Sequence, residues 1–547
     1  MSKKPTTDQR FYHICKLALY GLAGLMLSGL TYFSVKFCQV EHFGPPIMWK
    51  CDFLFLKAIS LLAVLALTIV FYIIFERSKH SRLISNILRC VIGALFLAEL
   101  IWFVRSSDPL LLLEDSGISY SAAVGMQNGS YDVIKPLGYV YRYPNMLGVI
   151  SLNRVLFFIF GNGDERSFYY LNIICVMVIY WAGASYIRLV TQGTGFSGKK
   201  PAKEIHPKTK ESFTYTVEIM WELMLATCLP YTLLVLFRYG DLLCCMSIIL
   251  TMYLYLRYEY TGRIINAVIL VLDLAVVSVV RQNLYICVLA LFLVILFKRF
   301  SEKKYLRGLM ESAILILCVF ALQGLHSRYY ESKAGNKIVG APSISWIAMG
   351  MQDDYYGPGY WNGYNWTVYD GEGGVEEAVR DSKEYIRGRI REFAGSPAMA
   401  YDFYKRKTLF QWIDPEFDAM RHISIGENAS PLVRKYLVET DTTENGIFRY
   451  LDIMQSIIYL SAAIFVFSLQ AAGIKKEKSG ERKTDMSLLL PIVFFIGGFL
   501  FTVLWEAKSR YVIGYYEVVI MMAAAGLAII AEKIINCISG QKKRKKD

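Results

Sequence analysis

The sequence predicts an all-α polytopic membrane protein of about twelve transmembrane helices, and three observations carry that class. Of 547 residues, 55% are hydrophobic and only 19% charged, whereas a soluble chain has about a quarter of its residues charged. The mean hydropathy is +0.36. The apolar residues gather into runs of about 15 to 23, and a helix needs about 20 residues to cross a hydrocarbon core of about 30 Å. Lys plus Arg exceed Asp plus Glu by 59 to 46. In a soluble domain that surplus would raise the question of nucleic acid. In a membrane chain the positive-inside rule accounts for it, and no nucleic-acid partner is expected.

The stretch 1–16 is polar and basic, and no small-residue cleavage site follows, so 17–35 reads as an uncleaved first span. Further spans follow at 58–75, 88–104, 169–187, 217–237, 242–256, 264–280, 284–297, 309–325, 451–473, 488–504 and 511–530. The run 145–160 is too short to cross and carries Ser151, Asn153 and Arg154, so it reads as an interfacial helix. Laid flat, it leaves every strongly basic segment on one side: the N-terminus, 77–89, 188–210, 257–263, 298–307, 475–483 and the tail 542–546. These hold about half of the 59 basic residues, against about a dozen in the short outer loops.

The organisation expected is N-terminal spans over 1–104, a first large outer loop over 105–168, and a second group of spans over 169–325. A small mixed extracytoplasmic subdomain over 326–450, C-terminal spans over 451–531 and a basic cytoplasmic tail over 532–547 follow. The protein is thus expected in the cell membrane, multi-pass, with both termini cytoplasmic. Within the subdomain, Val375, Val379, Ile386, Ile390 and Phe393 recur at helical spacing in a charged stretch.

Ten of the 11 cysteines lie in or beside apolar runs, and no CxxC occurs. Cys38 and Cys51 share one short outer loop and could pair, but nothing else indicates a disulfide framework. The six histidines show no ligand spacing. No cofactor is called for, and a divalent metal is not indicated.

An ionisable residue at the bilayer centre costs about 2.5–3.5 kcal/mol on insertion scales, so those near spans need a reason. After the third span Glu114 and Asp115 open a short helix, and Asp115 is either its N-cap or a catalytic carboxylate. Next comes the aromatic, basic run 139–148, in which Arg142 and Tyr143 precede Pro144. Arg142 there suits either a lipid phosphate or ordinary interfacial anchoring. Arg238 and Asp241 are three apart and would share a helix face as an ion pair. Arg281 and Asn283 break an apolar hairpin with no acid nearby in sequence, which favours a phosphate partner for Arg281. Glu506 and Arg510 are four apart and could pair, leaving Lys508 over. In 349–366, Tyr360 and Trp361 stand among Asn and Asp, a composition suited to sugar.

These parts, in this order, resemble the GT-C integral-membrane glycosyltransferases, in the branch of the protein O-mannosyltransferases and lipid A aminoarabinose transferases, and more closely its uncharacterised bacterial members. The resemblance rests on Asp115 with Tyr120 and Ala122, Tyr143-Pro144 with Gly148, and Phe237 to Asp241. It also rests on Arg281-Gln282-Asn283, on 342–350 and on Trp505 to Tyr511. It covers about 104–527, and departs from the best-known members in placing more than one span before the acidic loop. It implies a polyprenyl-phosphate-linked sugar donor and inverting transfer on the outer face to a cell-envelope glycan, lipid or protein. It further implies Asp115 as general base, with Glu114 as second choice. Donor phosphate is then expected at Arg142, Arg281, Lys508 and Arg510, and substrate at Tyr143, Arg238, Asp241, Asn283, Tyr360, Trp361 and Glu506.

Two other classes compete. A transporter or flippase would place ionisable residues at the bilayer midplane, whereas here they cluster at outer ends, with Lys57, Glu218 and Glu222 as boundary exceptions. A polymerase or ligase using a polyprenyl-diphosphate glycan needs similar outer arginines and a similar loop.

Overall fold

The computed structural model describes residues 7–40, 47–110, 114–192, 207–369, 374–439, 446–479 and 487–544. Leu113, the middle of the basic segment 188–210, and the ends of the segment 475–483 and of the tail lie outside the described residues. Helices dominate because in lipid each backbone N–H and C=O must be satisfied within the protein itself.

From the N-terminal side, α1 (Thr7–Lys36) turns through an antiparallel hairpin, β1 (Phe37–Val40) with β2 (Ile47–Lys50), into α2 (Leu54–Arg77) and α3 (Ser81–Ser106). The first large connection holds α4 (Asp115–Gln127), the single turn α5 (Tyr139–Arg142) and α6 (Leu147–Phe160). Then come α7 (Arg166–Gln192), α8 (Pro207–Ala226), α9 (Leu229–Leu233), α10 (Asp241–Thr261), α11 (Ile264–Val280), α12 (Tyr285–Ser301) and α13 (Tyr305–Ala334). The second large connection contains α14 (Ser343–Met349), the two-residue strands β3 (Asp353–Asp354) and β4 (Gly357–Pro358), and α15 (Tyr364–Tyr369). It continues through α16 (Gly374–Gly395), α17 (Pro397–Trp412) and α18 (Pro431–Leu437). The bundle closes with α19 (Gly446–Ser479), α20 (Leu489–Leu504) and α21 (Ile513–Arg544).

Among the described residues nine helices are long and apolar enough to cross a membrane, or up to eleven if each of two bent pairs is one span. The class is therefore that of a helical, multi-pass membrane protein. Every expected span falls on helix, but three do so in altered form. Those at 264–280 and 488–504 are helices of only 17 and 16 residues. The one at 217–237 is bent by 54° between Glu211–Ala226 and Leu229–Leu236, where Pro230 lacks the N–H that would continue the helix.

The second bent pair, Asp132–Arg142 with Pro144–Phe160 at 109°, includes the run read as interfacial. Its helix α6 packs by one face against α4 and α11 and leaves Phe158, Ile159 and Phe160 exposed. Gly148 permits the approach, since a Cβ there would sit 1.8 Å from the Val279 carbonyl oxygen.

Charged residues inside the bundle are mostly paired. Lys57 meets Asp452 at 2.5 Å and also donates to the Ser34 carbonyl and to Ser456 Oγ, tying α1, α2 and α19 together. Glu218 takes Arg188 at 2.6 Å, and Glu222 takes Arg89 at 2.7 Å. The sequence reading passes over five further acids within spans, Asp452 and Glu311 among them. Glu99 accepts from Thr232, Asp273 accepts from Ser247, and Glu517 is fully buried.

Among the described residues the regular structure of the expected mixed subdomain is helical apart from one hairpin of two-residue strands, and α16 covers the predicted charged helix. Lys407 of α17 joins it to the bundle, donating from a fully buried Nζ to the Gly350 carbonyl and to the Trp505 carbonyl at 2.6 Å. Burial pushes its pKa down to about 7. Lys407→Met would orphan both carbonyls, at an expected cost of about 2–4 kcal/mol. A lower unfolding midpoint in detergent would report it, with the exposed Lys383→Met as an unaffected control.

Candidate active site

The first large connection, the breaks between α9 and α10, α11 and α12, and α20 and α21, and the segment after α17 meet at one end of the bundle. Asp115 is the first residue of α4, and the N-cap position belongs to Glu114, whose side chain makes no capping bond. The N-cap reading of Asp115 is thereby corrected. Its carboxylate instead accepts from Tyr139 Oη at 2.5 Å and lies 3.3 Å from Tyr239 Oη.

Glu114 points the other way. One of its oxygens is 3.4 Å from His422 Nδ1, and His422 Nε2 is 2.8 Å from Asp418. Burial, with Arg510 nearby, pushes the imidazole down to about 3, so it is neutral at physiological pH and has one N–H to give. The shorter contact assigns that proton to Asp418. His422 also stacks on Phe237, with centroids 4.7 Å apart.

Tyr239 links the carboxylates to the cations. The Arg281 and Arg510 guanidiniums lie over its ring at 4.5 and 4.8 Å. Arg281 pairs with Asp241 at 2.7 Å, and Arg510 approaches the same oxygen at 3.9 Å. Arg281 therefore has an acidic partner after all, one that lies forty residues away in the chain and that sequence proximity could not reveal. Two guanidiniums share one carboxylate oxygen there. Next to them opens a cavity of about 340 Å³, lined by Tyr239, Arg281, Asn283 and Tyr511, with Ile286 of α12 and Phe501 of α20 on its apolar side.

Two expected pairings dissolve. Arg238 does not share a helix face with Asp241, because Gly240 at φ 85° separates it from α10. Arg238 stacks over Tyr120 at 4.8 Å and meets Glu165 at 3.6 Å. Glu506 and Arg510 are not in helical register, since α20 ends at Leu504 and Lys508 is extended. Glu506 faces Lys508 at 3.7 Å, so Lys508 is not left over. Burial raises the Glu506 carboxyl, opposed by Lys508 and Arg510.

The aromatic segment is only partly a surface. Tyr360 is buried against Phe410 and Ala507, because Gly359 and Ala507 are hydrogen-bonded through their backbones and Arg421 donates to its hydroxyl. Trp361 meets Trp366 edge-on at 5.4 Å. The exposed rings are Tyr355, Tyr356 and Trp366. Arg142 lies over Trp366 at 5.6 Å and is not among the residues lining the 340 Å³ cavity. Tyr143 packs between Tyr139, Trp346 and Trp366.

Among the described residues one group could offer three metal-ligand atoms, Cys38, Cys51 and Asp452, all within 4.8 Å of one another. The Lys57 ammonium already answers the Asp452 charge, and both cysteines are free thiols. Tyr139, Tyr239, His422, Asp418 and Tyr511 were not singled out as site residues from sequence. Tyr139 and Tyr239 lay inside quoted motifs, whereas His422 carried no spacing signal at all. The chain matches no protein-family model and no curated protein.

Proposed function

We propose that the protein is a membrane glycosyltransferase that moves a sugar from a polyprenyl-phosphate donor to a cell-envelope acceptor on the outer face. The observation that carries this reading is the cavity whose wall, Tyr239, lies under Arg281 and Arg510 and reaches Asp115 at 3.3 Å. The donor phosphate sits at Arg281, with Asn283 and Tyr511 beside it and the prenyl chain leaving past Ile286 and Phe501, while Arg510, outside the cavity lining, shares Asp241 with Arg281. Asp115 takes the proton of the acceptor hydroxyl as that oxygen bonds to the anomeric carbon with inversion. The bond from that carbon to phosphate oxygen breaks, and the charge stays on the phosphate.

The test is to incubate the purified protein, in lipid, with a panel of polyprenyl-phosphate sugars. Release of lipid phosphate is expected with at least one donor, and a folded protein that releases none would sink the reading. A second reading, transport, is favoured by Glu517, a carboxylic acid fully buried inside α21 with no cationic partner among the described residues. Glu517→Gln should spare phosphate release if the protein is a transferase.

Both termini and the turns 257–263 and 298–307 are assigned to the cytoplasm. A cysteine introduced at Arg263 should label from the cytoplasmic side and one at Tyr355 from the outside. Labelling of both from one side would refute the orientation.

A further inference from the structure

A second, larger cavity of about 1080 Å³ lies between α10, α11, α12 and α13, at the ends of these helices remote from Asp241 and Arg281. Its lining is almost wholly apolar along its length, including Val268, Leu272, Leu291 and Ile314, and turns charged at one end with Lys303, Lys304 and Arg307 and one carboxylate, Glu311. From Arg307 to Cys318 on α13 is eleven residues, about 16 Å of helix rise. That is close to half of a hydrocarbon core of about 30 Å. The groove is thus one leaflet deep, with its charged end at headgroup level.

The charge at that end is not balanced. Five cations of 298–307 stand against Glu259, Glu302 and Glu311, leaving two positive charges. Arg307 is fixed by Glu311 at 2.8 Å and by Tyr258 Oη at 3.0 Å, so its guanidinium stands at the rim. Lys303 turns the chain there at φ 60°, a conformation that glycine adopts at less cost.

We propose that this groove binds one anionic glycerophospholipid of the leaflet opposite the candidate active site, its phosphate at Lys303, Lys304 and Arg307 and its acyl chains along α11 and α13. Apolar depth selects a lipid, the one-leaflet length selects a phospholipid over a long polyprenyl chain, and the surplus charge selects an anionic headgroup.

The test is native mass spectrometry of the full chain in detergent with equimolar phosphatidylglycerol and phosphatidylcholine of matched chains. Phosphatidylglycerol should be retained at least fivefold over phosphatidylcholine. Lys303→Glu/Lys304→Glu, at exposed positions, should lower its retention at least fivefold. Val268→Trp, which fills the groove without touching charge, should lower retention of both lipids. Equal retention of the two lipids, or retention indifferent to both variants, overturns the proposal. So does displacement of phosphatidylglycerol by equimolar polyprenyl phosphate. No sugar transfer enters the readout, so this site stands or falls apart from the proposed activity.

Discussion

Asp115→Asn is expected to lower sugar transfer by about 1,000-fold, within the range of about 10²–10⁴ that a general base contributes, while leaving donor affinity and unfolding midpoint unchanged. The carboxylate is held by Tyr139 at 2.5 Å with Tyr239 at 3.3 Å, so an amide of the same shape can still accept from Tyr139. What it cannot do is take a proton. The loss should therefore appear in turnover and not in KM. Tyr139→Phe should cost only about tenfold, because it removes an orienting hydrogen bond and leaves the base in place. Glu114→Gln is the internal comparison. If Asp115→Asn kept near-normal turnover while Glu114→Gln lost it, the base would be the carboxylate backed by His422 and Asp418.

Arg281→Ala is expected to weaken donor binding by about 50-fold and Arg281→Lys by about fivefold, since an ammonium keeps the charge but loses the planar two-pronged geometry that phosphate favours. The ion pair complicates a single variant, because removing Arg281 leaves the buried Asp241 with Arg510 alone, at 3.9 Å, and breaking a buried pair is destabilising in itself. The double variant Arg281→Ala/Asp241→Asn separates the two effects. Donor titration that stays weak in the double variant assigns Arg281 to the phosphate. Recovered affinity would mean that Arg281 only neutralises Asp241. Arg142→Ala should shift donor affinity less than fivefold, given its place over Trp366 away from the cavity wall.

Much of this protein is legible in the chain itself. The spans were readable because lipid imposes one solution on an apolar run, and the run's length and composition suffice to announce it. The interfacial reading of 145–160 likewise came from local facts, its shortness and the polar Ser151, Asn153 and Arg154, and the structure gives that run a helix bent by 109° from the segment before it. Asp115, Arg281, Asn283 and Arg510 were also singled out from sequence, because charge beside an apolar run is conspicuous by its cost.

Pairing was not legible. Helical spacing assigned Asp241 to Arg238 and Arg510 to Glu506, but each rule assumed a helix that Gly240 and the extended Lys508 interrupt. The acids within spans were overlooked for a related reason. One carboxylate in a run of apolar residues barely lowers its hydropathy, and the partner that makes Asp273 tolerable, Ser247, belongs to another helix.

The sequence by itself determined the class, the position of the helices and the supply of carboxylates and guanidiniums between them, since these follow from the local balance of apolar surface against backbone polarity. Only the tertiary structure decided which charges meet: Arg281 with Asp241, Glu114 with His422 and Asp418, and Asp115 with two tyrosines. The physical reason is distance. A buried charge takes whatever opposite charge or hydrogen-bond donor packing brings within about 4 Å, and packing joins residues that lie tens to hundreds of positions apart in the chain.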